Sequence, residues 1–179
     1  MAASHCWRPM IARVLLLLYL LSAGAVHAQT PPAASPAEKL IAAINAVRLV
    51  ERKPLLRTNP KLNAAAKTHA ADMAAREFFG HKNPEGEGLT ERLARVHYKF
   101  ALALENIAVG QRDPQIVVAD WLESDGHKQN LLDPNVRDIG AAYLYYASDP
   151  AVARRRHYWV VVLAVAAPKS PQEPVNAER

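Results

Sequence analysis

Three ionisable side chains stand among aromatic, Gly and Pro residues between Phe78 and Asn135: His81, Glu105 and His127. They occur in Phe78-Phe79-Gly80-His81-Lys82-Asn83-Pro84, Leu104-Glu105-Asn106-Ile107-Ala108 and Trp121-Leu122-Glu123-Ser124-Asp125-Gly126-His127. An imidazole or carboxylate that closes or follows an otherwise apolar segment must find a partner, because desolvating it alone is costly. The pattern points to a cleft. Two imidazoles with one or two carboxylates can hold a zinc-type ion that keeps an open position for water, and they serve equally as an acid and base pair. Spacing does not choose between these, since the residues lie far apart and no two His stand one helical turn apart.

The elements that must position these groups are readable from caps and periodicity. Ser35-Pro36-Ala37-Glu38 carries a hydroxyl cap, Pro at the first helical position and Glu three residues after the cap. Leu40, Ile41, Ile44 and Val47 follow at helical spacing, predicting a first helix to about Val50, ended by Glu51-Arg52-Lys53-Pro54. Leu55-Leu56 reads as a short extended piece. Asn59-Pro60 opens a second helix whose inner side carries Leu62, Ala65, Ala66, His69 and Met73, with Gly80 expected as its left-handed terminus. His69 is expected to be a satisfied core residue and stays outside the site. Thr90-Glu91 starts a third, shorter helix with Leu93, Val96 and Tyr98 inward, and Asp113-Pro114 caps a fourth containing Ile116, Val117 and Trp121. Residues 99–110 read as an irregular or short helical connection, and 128–132 as one more helical turn. Ile139 to Ala147 and His157 to Ala167 read as two strands of an antiparallel hairpin around Ser148-Asp149-Pro150. Val160-Val161-Val162-Leu163 is apolar on both faces, so that strand must be covered on both sides.

Composition bounds the class. With 179 residues, half of them apolar, the chain fits one domain with short appendages. Arg8 and Arg13 precede the apolar run Val14 to Leu21, and Val26-His27-Ala28 places small residues where a signal peptidase cuts. Residues 1–28 are therefore expected to be a cleaved signal peptide, 29–35 a flexible lead-in, 36–167 the domain and 168–179 a disordered tail. The run is too short for a spanning helix, which needs about 20 apolar residues, so a soluble product without a transmembrane anchor is expected, secreted or periplasmic. Removing those two arginines from 22 basic residues, against 17 acidic, leaves a net charge of +3. No basic stripe is present, so no nucleic-acid partner is expected. Arg154-Arg155-Arg156 reads as a solvated loop tip. Cys6, the one cysteine, leaves with the leader, excluding disulfides, thiolate catalysis and Cys-ligated metal.

The ordered series of motifs resembles the CAP superfamily (SCP/PR1-like: cysteine-rich secretory proteins, antigen 5, pathogenesis-related protein 1), in its small bacterial secreted branch. It runs through Leu62-Asn63-Ala64-Ala65-Ala66, His69-Ala70-Ala71-Asp72-Met73, Phe78-Phe79-Gly80-His81, Glu105-Asn106-Ile107-Ala108, Trp121, Gly126-His127-Lys128-Gln129-Asn130, Asp138-Ile139-Gly140 and Tyr158-Trp159. The resemblance implies an α+β fold, a three-layer α-β-α sandwich with a central antiparallel sheet of three or four strands. It also implies a surface cavity of two His and two acidic residues that binds a divalent metal in some members. His81, Glu105 and His127 match three of those positions. For the fourth, Glu123 lies two residues after Trp121, whereas relatives with this acid have it three after, where Ser124 stands. Asp125 replaces a common Pro, as a turn residue or an acceptor for His127, and His97 replaces a common Gly.

The first functional expectation is a secreted binding module for a divalent metal such as zinc, held by His81 and His127, or for a small apolar or lipid ligand. The alternative is a metal-assisted hydrolase in which Glu105 takes a proton from metal-bound water. A serine-type variant through Ser124 lacks any nucleophile-elbow pattern. A further alternative is a structural or envelope-interacting protein with a vestigial cavity.

Overall fold

The computed structural model describes residues 33–147 and 157–168, and the compact unit that begins at Ala34 contains every element below. The expected leader, the Arg154-Arg155-Arg156 loop tip and the tail after Pro168 lie outside the described residues. In chain order the elements are α1 (Pro36–Val50), β1 (Arg57–Thr58), α2 (Pro60–Ala75), α3 (Leu89–Arg95), β2 (Phe100–Val109), α4 (Pro114–Leu122), α5 (Asp125–Leu132), β3 (Asp138–Tyr145) and β4 (His157–Ala166). No helix among them is long and apolar enough to cross a membrane.

The four strands form one sheet in the order β1-β3-β4-β2. β3 and β4 pair antiparallel from Asp138↔Ala164 to Tyr145↔His157, and β2 pairs antiparallel with β4 on the other side, while the two-residue β1 lies parallel to β3. Tyr158, Val160, Val162 and Ala164 face the core formed with α2 and α3. Trp159, Val161 and Leu163 face the core formed with α1, α4 and α5. The result is a three-layer α-β-α sandwich, and β4 is the covered strand that its apolar run required.

Three local predictions hold at the level of atoms. Ser35 Oγ accepts from the Glu38 amide while Glu38 Oε2 accepts from the Ser35 amide at 2.7 Å, and the Asn59 and Asp113 side chains cap α2 and α4. One expectation fails outright. Residues 99–110 contain a ten-residue strand, β2, because the Ala-Leu alternation of Phe100 to Leu104 has no strong preference of its own and pairing with β4 decides it.

A second correction concerns the end of α2. The helix stops at Ala75 and its left-handed residue is Glu77, with φ 56°, not Gly80. The Phe78 amide donates to the Met73 carbonyl, which is the outer bond of a Schellman cap. The same motif closes α1 at Arg52 (φ 53°, Lys53 amide to Arg48 carbonyl) and α3 at His97 (φ 52°, Tyr98 amide to Leu93 carbonyl). All three left-handed positions carry a side chain where glycine is least strained. The missing glycine at residue 97 is thus a strained cap.

Gly140 is required for a different reason. A Cβ there would stand 2.2 Å from the Leu62 carbonyl carbon and 2.3 Å from the Asn63 nitrogen, so β3 and the start of α2 touch backbone to backbone. Asn63 Oδ1 then accepts from the Ala141 amide at 2.9 Å, continuing along β3 beyond the short β1. Gly140→Ala is expected to lower unfolding stability by about 3 kcal/mol, since backbone cannot move aside. His97→Gly should raise it by about 0.5–1 kcal/mol, the left-handed penalty less the entropy of glycine. Urea midpoints of the two variants check both signs.

Candidate functional site

The site is built at an edge of the sheet, because among the described residues β2 is the end strand and pairs with β4. Along β2, Ala103 and Ile107 join the α2–α3 core while Leu104 and Ala108 join the opposite one. Glu105 therefore faces α2 and α3, and Asn106 faces α5.

Glu105 is a carboxylate inside a protein layer, its side chain only 4% exposed. Such a charge needs close partners. Arg92, buried on α3, supplies one: its Nη2 lies 2.6 Å from Glu105 Oε2, and its Nη1 donates to the His81 carbonyl at 3.1 Å. His81 supplies the other, with Nδ1 2.9 Å from Glu105 Oε1. Arg92 thus holds both the acid and the backbone of the residue that the acid orients. The His81 ring is 56% exposed. With Nδ1 carrying its proton toward the carboxylate, Nε2 of the neutral ring keeps a lone pair.

The loop that delivers His81 is tied down at both flanks. Arg76 Nε bonds Asp72 at 2.7 Å, Arg76 Nη1 bonds Glu85 at 2.6 Å, and Arg95 bonds Glu87. Asn83 accepts from the Glu87 amide and donates to Glu87 Oε2, both at 2.9 Å. Glu87 is held below the ordinary carboxylate range, first by Arg95 and then by Asn83. Exposed pairs contribute little singly, but together they fix an irregular segment.

His127 comes from the opposite layer. Asn106 Nδ2 donates to the His127 carbonyl at 3.0 Å, and Asn130 Nδ2 donates to Asn106 Oδ1 at 2.9 Å and, at 3.4 Å, to the Glu105 carbonyl. The ring lies 6.4 Å from that of Trp121. Burial is the main influence on that ring and lowers its proton affinity, with a smaller electrostatic contribution from His81 in the same direction. The two imidazoles, from loop and helix, are thus anchored to adjacent residues of β2 that face opposite layers.

Glu123 joins none of these contacts; it is exposed at the C-cap of α4. Asp125 is exposed in the first turn of α5, where a negative charge suits the helix dipole. Ser124 precedes that helix without a side-chain cap bond. Trp121 is core, and its Nε1 donates to the Ile107 carbonyl at 3.1 Å.

One residue escaped the sequence reading and another was read only half correctly. Arg92 occupies the stripe Leu89-Arg92-Leu93-Val96, and a charge within an apolar stripe was the available signal. His69 is in the core as expected but is not satisfied there. Its Nε2 lies 3.8 Å from Glu105 Oε1, and neither ring nitrogen makes a hydrogen bond of ordinary geometry, although the Gly80 backbone favours the charged ring. Burial is the largest influence and lowers its proton affinity, against the pull of Glu105.

A three-layer sandwich with this arrangement at an edge strand defines a class. The sequence profile of the cysteine-rich secretory protein family, CAP, matches residues 41–163, and the chain belongs to that family. It is 31% identical over 107 residues to the uncharacterised protein YkwD of Bacillus subtilis, covering 60% of this chain and 42% of YkwD. It is 35% identical over 72 residues to the uncharacterised membrane protein YlbC of the same species, covering 40% of this chain and 21% of YlbC. The chain thus spans less than half the length of either relative. Among solved structures it resembles an extracellular SCP-domain protein of Bacillus anthracis, with TM-score 0.64, 26% identity, and coverage of 73% of this chain and 40% of that one. It shares its fold with an outer surface protein of Borrelia burgdorferi, with TM-score 0.65, 22% identity, and coverage of 72% and 91%.

Arg92→Leu is expected to cost about 3–5 kcal/mol because it strands a buried carboxylate, and Arg92→Leu with Glu105→Leu should cost less than the single change. Chemical denaturation of both measures the difference. The histidines set an acid limit. His69 and His127 have lowered proton affinity when folded, so the unfolded chain binds more protons below its own His pKa of about 6.5. Stability should be full above that pH and fall as pH drops toward the lower folded values, by up to about 1.4 kcal/mol per pH unit per ring. In urea titrations from neutral to mildly acid pH, His69→Leu should flatten the profile; an unchanged slope would show that His69 takes no part.

Proposed function

We propose that this chain is an exported CAP-domain binding protein whose recess at the β2 edge takes a divalent cation such as zinc through His81 and His127. One observation carries the reading: His81 Nδ1 is bonded to a buried carboxylate that Arg92 pins from its other oxygen. Metal-ligating imidazoles are commonly oriented in this way, with the remaining nitrogen presented outward. The lowered proton affinity of His127 supports it too, because only a neutral ring is a ligand. Two imidazole ligands would leave the rest of the cation's shell to water. Among the described residues no three His, Cys, Asp or Glu side chains converge on a metal position. Catalytic zinc sites commonly use three protein ligands.

That difference favours binding over metal-assisted hydrolysis. Both oxygens of Glu105 are engaged, so the carboxylate is committed to orienting His81 rather than taking a proton from water. Export is supported by the leader pattern of residues 1–28 and by the extracellular and outer-surface descriptions of the two structural relatives.

Calorimetric titration of zinc into the wild-type chain tests the reading. His81→Ala and His127→Ala should each weaken binding at least about tenfold, and Glu105→Gln by about 10–100-fold through loss of orientation. Equal zinc affinity in the wild type and the His81→Ala/His127→Ala double variant removes the cation site.

A further inference from the structure

α1 is apolar on nearly every side from Leu40 to Val50, with only Asn45 and Arg48 polar. Both turn inward. The Asn45 amide brackets Leu56, accepting from its amide at 2.9 Å and donating to its carbonyl at 3.1 Å. Arg48 is fully buried and donates to the carbonyls of Pro54, Leu131 and Asp133 at 2.6–3.1 Å. The outer face over these turns is therefore left to Ala42, Ala46, Leu49 and Val50, all exposed. A helix that is hydrophobic all round is normally covered.

The large apolar side chains gather at one corner. Leu49 is 67% exposed, Val50 79% and, beyond the turn, Leu55 54%; these are three of the six large apolar residues exposed among the described residues. The turn is closed by the Lys53 amide on the Arg48 carbonyl, so both of its arms rise from one rigid base. Arg52 and Lys53 flank the corner with one acid, Glu51, while Arg57 beyond it is paired with Asp138 at 3.2 Å.

We propose that this corner is a peripheral docking surface for an anionic lipid bilayer. Apolar side chains more than half exposed suit the headgroup and acyl boundary, and Arg52 and Lys53 match negative headgroups. A second copy of the chain is a poorer occupant. A two-fold contact at the corner would bring Arg52 and Lys53 of both copies together. The surface is separate from the cation site and does not depend on it.

Co-sedimentation of the exported chain with phosphatidylcholine vesicles, with and without phosphatidylglycerol, tests the proposal. Binding should require the anionic lipid and weaken with added salt. The Leu49→Ser/Val50→Ser/Leu55→Ser variant and the Arg52→Glu/Lys53→Glu variant should each bind at least about tenfold less. All five positions lie outside the buried core, so the urea midpoints of both variants should stay near the wild type. Leu49→Trp should add an emission that shifts to the blue with anionic vesicles and is quenched by brominated lipid. Equal vesicle binding by the wild type and both variants, or an unshifted Trp, overturns the proposal. So does a lipid-free dimer in sedimentation velocity that either variant dissolves.

Discussion

The ion pair between Glu105 and Arg92 organises the functional half of this molecule. A carboxylate on a strand inside a layered fold would be strongly destabilising alone. Its burial obliges α3 to bring a guanidinium within 2.6 Å, and the same guanidinium fastens the carbonyl of His81. The position of a short helix, the path of the loop before it and the orientation of an exposed imidazole thus follow from one buried charge. His69 belongs to this arrangement: it lies close to Oε1, which the His81 bond already occupies.

The edge strand gives this pair its setting. An unpaired edge exposes backbone groups that invite association with other chains. In β2 two of its carbonyls are taken by side chains, that of Ile107 by the Trp121 indole and that of Glu105 by Asn130. Those bonds also anchor the α4–α5 segment against the strand. The protection of an edge and the anchoring of the His127 segment are accordingly one construction, and the two imidazoles are tied to consecutive residues of one strand, Glu105 and Asn106, from different helical layers.

Several polar side chains in this chain turn inward from positions that periodicity assigns to the core. Arg92 serves a carboxylate, Arg48 serves the last carbonyls of α5, and Asn45 serves the segment ahead of β1. Arg48 satisfies backbone acceptors without a carboxylate, and its proton affinity is lowered chiefly by burial. The consequence for α1 is an outer face without charge, which makes its exposed end unusual for a surface helix.

Local chemistry was legible in the residues themselves. Ser35 with Glu38, Asn59 with Pro60 and Asp113 with Pro114 specify helix starts through bonds that span two or three residues, and Val160 to Leu163 declares a strand covered on both sides. The order of motifs, from Phe78-Phe79-Gly80-His81 to Asp138-Ile139-Gly140, identified the family before any contact was known. What the chain could not declare locally was decided by long-range packing. Phe100 to Val109 became a strand because β4 offered a ladder, and Gly140 was required because α2 crosses β3 at backbone distance. Arg92 became part of the site because a buried carboxylate 13 residues along the chain required a cation. Caps and periodicity act between neighbours in sequence, whereas desolvation acts between neighbours in space, and the layered sandwich determines which residues those are.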